Sequence, residues 1–378
     1  MILDTTPLGG QIARAARSVL SDDGGWVLGY HPVARMNPYQ ALLYSQAYAS
    51  GVAPVGLPRR SDFDSLQVAR SIGVDTILHL HWTSDVISGA ENPRQAEARA
   101  TEFGEHLESL QAAGSKIAWS VHNVLPHQCP FPEVESRLRA RLSEVADVIH
   151  VMSPATVEAT SPYYSLPVDK IIEVPHPSYV GAYPSHVDRA TARFELGYEP
   201  TDLVLGALGS IQPYKGLTEF VDAVRNQIEL DPDVRALVAG IPGRDEESRQ
   251  LLLDLEKAHH VRLVARRLSD REMASLMVAL DVAVLPYRAS LNSGAALLAL
   301  SFGVPVVAPL TGGFRDLIAM GFGVGYDPDD PNGLTESLSS VRQFLEQYDR
   351  AAALAYAADI NGGSVSARFF NALLAKLS

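Results

Sequence analysis

Apolar positions along this chain follow two rhythms that take turns. Short, β-branched runs read WVLGY at 26–30, DTILHL at 75–80, KIAWSV at 116–121, DVIHVM at 147–152 and KIIEV at 170–174. A second series reads LVLGALG at 203–209, VRALVAG at 234–240, VRLVA at 261–265, DVAVLP at 281–286 and VPVVAP at 304–309. Between them lie amphipathic stretches such as PYQALLYSQAYASG at 38–51, EFVDAVRNQIEL at 219–230 and DREMASLMVAL at 270–280. Strands that are apolar throughout, each followed by a helix, predict parallel sheets covered by helices on both faces.

The two series are separated by residues 174–202, rich in Pro, Tyr and Gly, with room for one short helix. A domain boundary near 176–185 follows. The chain beyond about 331 reads as helical, with a run from Arg350 to Lys376 broken at Asn361-Gly362-Gly363. The expected organisation is an N-terminal Rossmann-like domain at 1–180 and a second such domain at 181–350. A helical tail at 351–378 is expected to pack back towards the first domain. The fold class is α/β, two doubly wound domains facing a deep cleft, with ligands beyond the carboxyl ends of the strands. No repeat of fixed period and no low-complexity segment interrupts this pattern.

Composition narrows the class. At 378 residues, 47% hydrophobic and 20% charged, the chain can bury two cores. Lys+Arg 31 against Asp+Glu 44 gives a net charge of −13, which disfavours nucleic acid as a partner. The single cysteine, Cys129, cannot form an internal disulfide, so a reducing compartment is expected. MILDTTPLGG lacks the pattern of a signal peptide, and no apolar run approaches the ~20 residues of a membrane span. A cytoplasmic location is the expectation.

Chemistry gathers at strand ends. Asn292, Ser293 and Gly294 precede the greasy helix AALLALSFG, whose N-terminus offers unpaired amides and a partial positive charge to an anion. Asn292 or Ser293 can cap that helix, Gly294 lets a ligand approach the backbone, and Arg288 lies just upstream. By itself such a helix is a capped core element; the arginine makes an anion site equally reasonable. In GSIQPYKG at 209–216, Lys215 opens a helix; a lone lysine there is more often solvated surface, but the dipole disfavours a cation at that end, which hints at a negative ligand. Gly9-Gly10 reads as a loop ahead of an amphipathic helix, either plain or a phosphate cradle. Neither a GxGxxG nor a GxxxxGK[ST] motif occurs, which argues against a dehydrogenase and a P-loop enzyme.

His122 and Asn123 follow KIAWSV and should project from the sheet's carboxyl edge, although a histidine bonded to backbone is the commoner outcome. In HLHWTSD at 79–85, His79 and His81 are expected to place one ring on each sheet face, so no metal pair is expected. Trp82 could stack on a sugar or sit in the core, and Asp85 is a candidate general base. The arginines of ESRLRARL at 135–142 are expected along nearly one side of a helix, as a solvated face or, with lesser weight, as a contact with anionic lipid.

Taken together, the Gly-Gly loop, HN at 122–123, PYKG with Lys215 and LLALSFGVPVVA carry a family likeness. The chain resembles the GT-B nucleotide-sugar glycosyltransferases, within them the large retaining group (family four-like) of sucrose, trehalose and mannosyl-lipid synthases. The resemblance implies a GT-B fold and transfer of a sugar from a UDP- or GDP-sugar to a saccharide acceptor. That acceptor would be a lipid-linked glycan or polysaccharide precursor, with peripheral contact at the inner membrane face, or else a secondary metabolite. It implies no metal and no other cofactor. His122 would sit beside the donor sugar. Lys215, Gly9, Gly10 and the Asn292–Gly294 helix start would hold the diphosphate. Gly209, Ser210, Arg266 and Arg288 join the implied donor set, and His81, Trp82 and Asn123 the acceptor set. The family's two glutamates around this helix are missing: Ser290 and Leu298 stand there, and Ser210 replaces its arginine. Arg288 would supply that charge, while ribose recognition and stereochemistry are left open, with Asp85 the base of an inverting reaction. The alternatives are a nucleotide-sugar 2-epimerase of the same fold and a catalytically degenerate binding partner.

Overall fold

The computed structural model describes residues 7–21, 24–35, 37–126, 128–184, 186–287 and 291–378. Contacts divide the chain into unit 1, residues 1–177 with 362–378, and unit 2, residues 178–361.

Unit 1 opens with helix α1, Leu8–Val19, and strand β1, Trp26–His31. There follow α2 (Tyr39–Leu43), β2 (Val52–Gly56), α3 (Gln67–Arg70), β3 (Asp75–Leu80), α4 (Pro93–Ala112) and β4 (Lys116–Ser120). Next come α5 (Pro132–Val145), β5 (Val148–Val151), α6 (Ala155–Thr160) and β6 (Ile171–Glu173). The sheet runs β2-β1-β3-β4-β5-β6 with parallel pairing throughout. Its central strands bury both faces through Val27, Leu28, Ile77, Leu78, Ile117, Trp119 and Ile149, the pattern of a sheet with helices on each side. The helix α4 starts where Asn92 accepts from the Gln95 amide at 3.0 Å and Pro93 supplies its preset φ.

Unit 2 contains α7 (Arg189–Glu195), β7 (Leu203–Leu208), α8 (Leu217–Leu230), β8 (Val234–Gly240), α9 (Glu246–Lys257) and β9 (Val261–Ala265). It continues with α10 (Asp270–Ala279), β10 (Val282–Val284), α11 (Gly294–Ser301), β11 (Val306–Pro309), α12 (Phe314–Ala319) and β12 (Gly323–Tyr326). Helices α13 (Gly333–Gln347) and α14 (Arg350–Asp359) close it. The order β12-β11-β10-β7-β8-β9 is again parallel and doubly wound. One core cluster joins Leu205, Val238, Val282 and Val307 of the sheet to Phe220, Val224 and Val341 of α8 and α13.

The expected tail is divided. Helix α14 packs on α11 in unit 2, whereas α15, Gly362–Leu377, lies on α2 in unit 1. Gly362 permits this approach, since a Cβ there would stand 2.7 Å from Leu42 Cδ2. Phe369 and Phe370 are then fully buried, and Ser366 Oγ accepts from the Gln46 amide at 2.9 Å. Two strands escape the apolar pattern, β2 (VAPVG) and β12 (GVGY). Both are edge strands, where Pro54 and the glycines are tolerated because pairing is needed on one side alone. The stretch 38–51 forms a shorter helix than its periodicity predicts, ending at Leu43 with a separate 3₁₀ turn at Tyr48–Ser50.

Candidate functional site

In unit 2 the chemistry lies past the carboxyl ends of two neighbouring strands, β7 and β10. After β7 the backbone makes a chain of close approaches that glycine alone allows. Gly209 has φ 131°, and Gly240, at φ 151°, could carry no Cβ because one would sit 1.5 Å from the Gly209 carbonyl oxygen. Gly216, at φ 64°, presses on Pro286, where a Cβ would lie 1.9 Å from the carbonyl oxygen. These contacts fix the 3₁₀ turn Pro213–Lys215 against the end of β10.

Lys215 is the product of that arrangement. Its Nζ donates to the Tyr287 hydroxyl at 2.7 Å and lies 4.1 Å from that ring's centroid and 5.5 Å from that of Tyr214. Burial works against the charged form, yet the two phenol oxygens outweigh it and hold the pKa above the ordinary lysine value. The side chain is therefore an ammonium at neutral pH, and among the described residues it has no carboxylate partner. Beyond β10, Ser293 caps α11 by accepting from the Ala296 amide at 3.2 Å. The helix thus begins at Gly294 as expected, with Ser293 as its capping residue.

Unit 1 gathers aromatic nitrogen instead. Parallel register sets β3 beside β4 and β4 beside β5, with Ser120 opposite His150. Tyr44 Oη stands 2.8 Å from His79 Nδ1 and 2.6 Å from His81 Nε2. Ser120 Oγ lies 2.9 Å from His79 Nε2 and 2.8 Å from His150 Nδ1, and His150 Nε2 is 2.8 Å from the Val174 carbonyl oxygen. His81 Nδ1 meets His122 Nε2 at 3.1 Å. His122 stacks on Trp82 with centroids 4.3 Å apart and takes the ring of Tyr39 edge-on at 5.0 Å. Burial, seconded by neighbouring histidines, pushes His79, His81 and His122 well below the usual histidine range. It lowers His150 and His176 to about 4. The cluster is neutral at pH 7.

Several expectations need correction. His79 and His81 do not lie on opposite faces; their centroids are 4.3 Å apart, because residues two apart in a strand share a face. Gly9 and Gly10 are not a loop before a helix but sit in the first turn of α1, the Gly10 amide donating to Pro7 at 2.8 Å. The arginines of α5 do not share one side. Arg139 is buried, paired with Glu135 at 3.0 Å and donating to the Asn123 carbonyl at 3.1 Å. Arg137 pairs with Glu97, and Arg141 with Glu108 and Glu144, so these charges are met within the protein.

The remaining candidates fall as follows. Asp85 is engaged by His31 Nε2 at 3.1 Å and Arg60 Nε at 3.7 Å. Arg266 follows edge strand β9 and pairs with Glu272 at 2.6 Å, drawing that carboxyl down to about 2. Ser210 lies in the turn after β7 beside Gly209, and Leu298 is buried within α11. Asn292 immediately precedes the Ser293 cap. Arg288 and Ser290 lie outside the described residues. Sequence reasoning missed Tyr44, Ser120, His150, Tyr214 and Tyr287. Ser120 and His150 were findable as polar residues inside otherwise apolar strands, whereas Tyr44 and Tyr287 join through loops that leave no periodic trace.

Residues 202–343 match the family model described as Glycosyl transferases group 1. The D-inositol 3-phosphate glycosyltransferase of Corynebacterium efficiens is 29% identical over 224 residues, 56% of this chain and 52% of that protein. The chain thus spans about half the length of that relative. GDP-mannose:glycolipid 4-beta-D-mannosyltransferase of Xanthomonas campestris is 27% identical over 282 residues, 74% of this chain and 71% of that protein. Among solved structures, sucrose-phosphate synthase from Thermosynechococcus elongatus superposes with a TM-score of 0.68 at 16% identity, covering 94% of this chain and 99% of that one. Anabaena HepE in complex with UDP-glucose gives 0.68 at 15% identity, covering 93% and 99%. The chain therefore has the GT-B glycosyltransferase fold, and its residues 202–343 are similar to the glycosyl transferases group 1 family.

Proposed function

We propose that the chain is a glycosyltransferase that moves a sugar from a UDP- or GDP-sugar to a saccharide acceptor without a metal ion. The observation that carries this reading is Lys215, an ammonium held by two tyrosines with no carboxylate partner among the described residues. A cation placed this way at a strand's carboxyl end suits an anionic ligand. The α11 N-terminus, which follows the neighbouring strand, adds backbone donors. As the bond between the anomeric carbon and the diphosphate breaks, its electron pair stays on the phosphate oxygen. Preorganised donors at that oxygen lower the barrier. His122, neutral and partly exposed, is assigned to a hydroxyl of the donor sugar, with Trp82 and His81 behind it.

The names of two similar proteins support the donor and acceptor proposed here. One relative takes GDP-mannose and a glycolipid, and one fold neighbour binds UDP-glucose. A lipid-linked glycan at a membrane surface is the acceptor we favour; no helix of the described residues is long and apolar enough to cross a membrane. The test is to incubate the full chain with UDP- and GDP-sugars, a saccharide-lipid acceptor and EDTA, and to identify products by mass spectrometry. Transfer from one donor class, lost in Lys215→Ala at unchanged melting temperature, is expected. Isomerised donor formed without acceptor would assign an epimerase instead, and nucleotide binding without any turnover would leave a binding partner. Either result overturns the proposal.

A further inference from the structure

We propose that a buried hydrogen-bond chain, anchored at the Val174 carbonyl, fixes His122 as its Nε2–H tautomer and presents Nδ1 as a bare acceptor. The tautomer assignment stands on unit 1 alone. Its use, to accept a hydrogen bond from a sugar hydroxyl, rests on the function proposed above.

The logic is directional. A carbonyl oxygen accepts and cannot donate, so His150 Nε2 carries a proton towards Val174. A neutral His150 then has an unprotonated Nδ1, which must receive the Ser120 hydroxyl proton. Having donated, Ser120 Oγ accepts from His79 Nε2–H. His79 Nδ1 is left as an acceptor and takes the Tyr44 hydroxyl proton. Tyr44 Oη accepts in turn from His81 Nε2–H, and His81 Nδ1 accepts from His122 Nε2–H. Each link has one consistent polarity, and it ends at a ring whose Nδ1 has no hydrogen-bond partner among the described residues.

The opposite polarity demands one more proton. Reversing each bond puts hydrogens on both His150 nitrogens, making an imidazolium at a side chain 1% exposed and packed against the ring of Phe369 at 5.1 Å. Burying that charge without an anion is costly. No carboxylate bonds to a member of the chain among the described residues. The ionisable groups facing it from adjoining elements are already committed. Arg139 pairs with Glu135, Asp85 meets His31 and Arg60, and His176 Nδ1 donates to the Pro177 carbonyl at 2.7 Å. The phenol of Tyr44 stays protonated because burial raises its pKa well above the ordinary tyrosine value. Tyr44, Ser120, His79, His81 and His150 are on this account positioning residues, acting through His122.

Long-range proton–nitrogen correlation NMR on the full chain labelled with ¹⁵N-histidine reads ring tautomers directly. At neutral pH the wild type is expected to show His122 with a pyridine-like Nδ1 and a pyrrole-like Nε2. A His122 protonated on Nδ1, or on both nitrogens, overturns the proposal without any variant. In Tyr44→Phe, and in His150→Leu with four residues between it and His122, the link to the anchor is lost and His122 is expected to split between both tautomers. Persistence of the single Nε2–H form in both variants, with native spectra elsewhere, also overturns it. His31→Gln alters a buried histidine outside the chain and is expected to leave the His122 signal unchanged. Because all of these spectra are taken without donor, failure of the transferase assay would not touch them.

Discussion

The two units wind similar parallel sheets yet bury polarity in opposite ways. Unit 1 fills the carboxyl ends of β3, β4 and β5 with neutral rings and hydroxyls that satisfy one another, from Val174 to His122. Unit 2 instead places charge at the ends of its strands, whereas the buried ion pair of unit 1, Arg139 with Glu135, lies on helix α5. Asp281 accepts from Arg189 at 2.5 Å, from the buried Arg193, and from the Val204 amide at 2.8 Å, so anion and cations cancel within the fold. Lys215, near the other end of the same pair of strands, has phenols in place of a carboxylate. A compensated charge is part of the scaffold, while the uncompensated one at a strand's carboxyl end is the cation that the proposed function assigns to an anionic ligand. A neutral network holds no charge to offer, and what it contributes is orientation.

The contrast can be broken most severely at the compensated cluster. Asp281→Ala leaves Arg189 and Arg193 facing each other without their anion, and should cost about 3–5 kcal/mol of stability in chemical denaturation. A cost below ~1 kcal/mol would mean that the cluster is not compensated as described. At the uncompensated site, Lys215→Ala should leave the unfolding midpoint of the unliganded protein in place. Turnover should drop by ~10²–10³, the scale of one lost transition-state donor.

Unit 1 is sharpened by acid. Burial lowers the His150 pKa from the ordinary 6.5 of the unfolded chain to about 4 in the folded one. Between these values the unfolded chain binds the proton and the folded one does not. The contribution is therefore complete above pH 6.5, is lost as pH falls towards 4, and levels off below. For His150 the slope is up to about 1.4 kcal/mol per pH unit. Replacing it by Leu should flatten the stability profile in that window, and an identical profile would refute a neutral His150. Smaller again, Ser293→Ala removes the α11 cap and should cost about 1 kcal/mol. Smallest of all, Arg137→Ala breaks an exposed pair with Glu97 and should move neither stability nor vesicle binding measurably.

Much of this was legible beforehand. Central strands such as LVLGALG and KIAWSV announce themselves because burial on both faces demands continuous apolar runs. Gly209 and Lys215 stand out because a glycine and a cation punctuate a strand's end. Of the four edge strands, β6 and β9 were legible as KIIEV and VRLVA, while β2 and β12 were silent because Pro54 and glycines break their apolar runs. The histidine cluster was half visible: His79, His81 and His122 could be named, but Tyr44 enters from the chain after α2 and Val174 from beyond β6. Arg139 was misread because helical spacing alone cannot reveal that Glu135, four residues earlier, draws one arginine inward.

The proposed function requires an anion at Lys215. Calorimetric titration of the full chain with UDP and with GDP, in EDTA, measures this directly. One of the two nucleotides should bind at a single site, and Lys215→Ala should weaken it by about tenfold or more, roughly 1.4 kcal/mol. Absence of heat with either nucleotide, or an unchanged affinity in the variant, would contradict the claim.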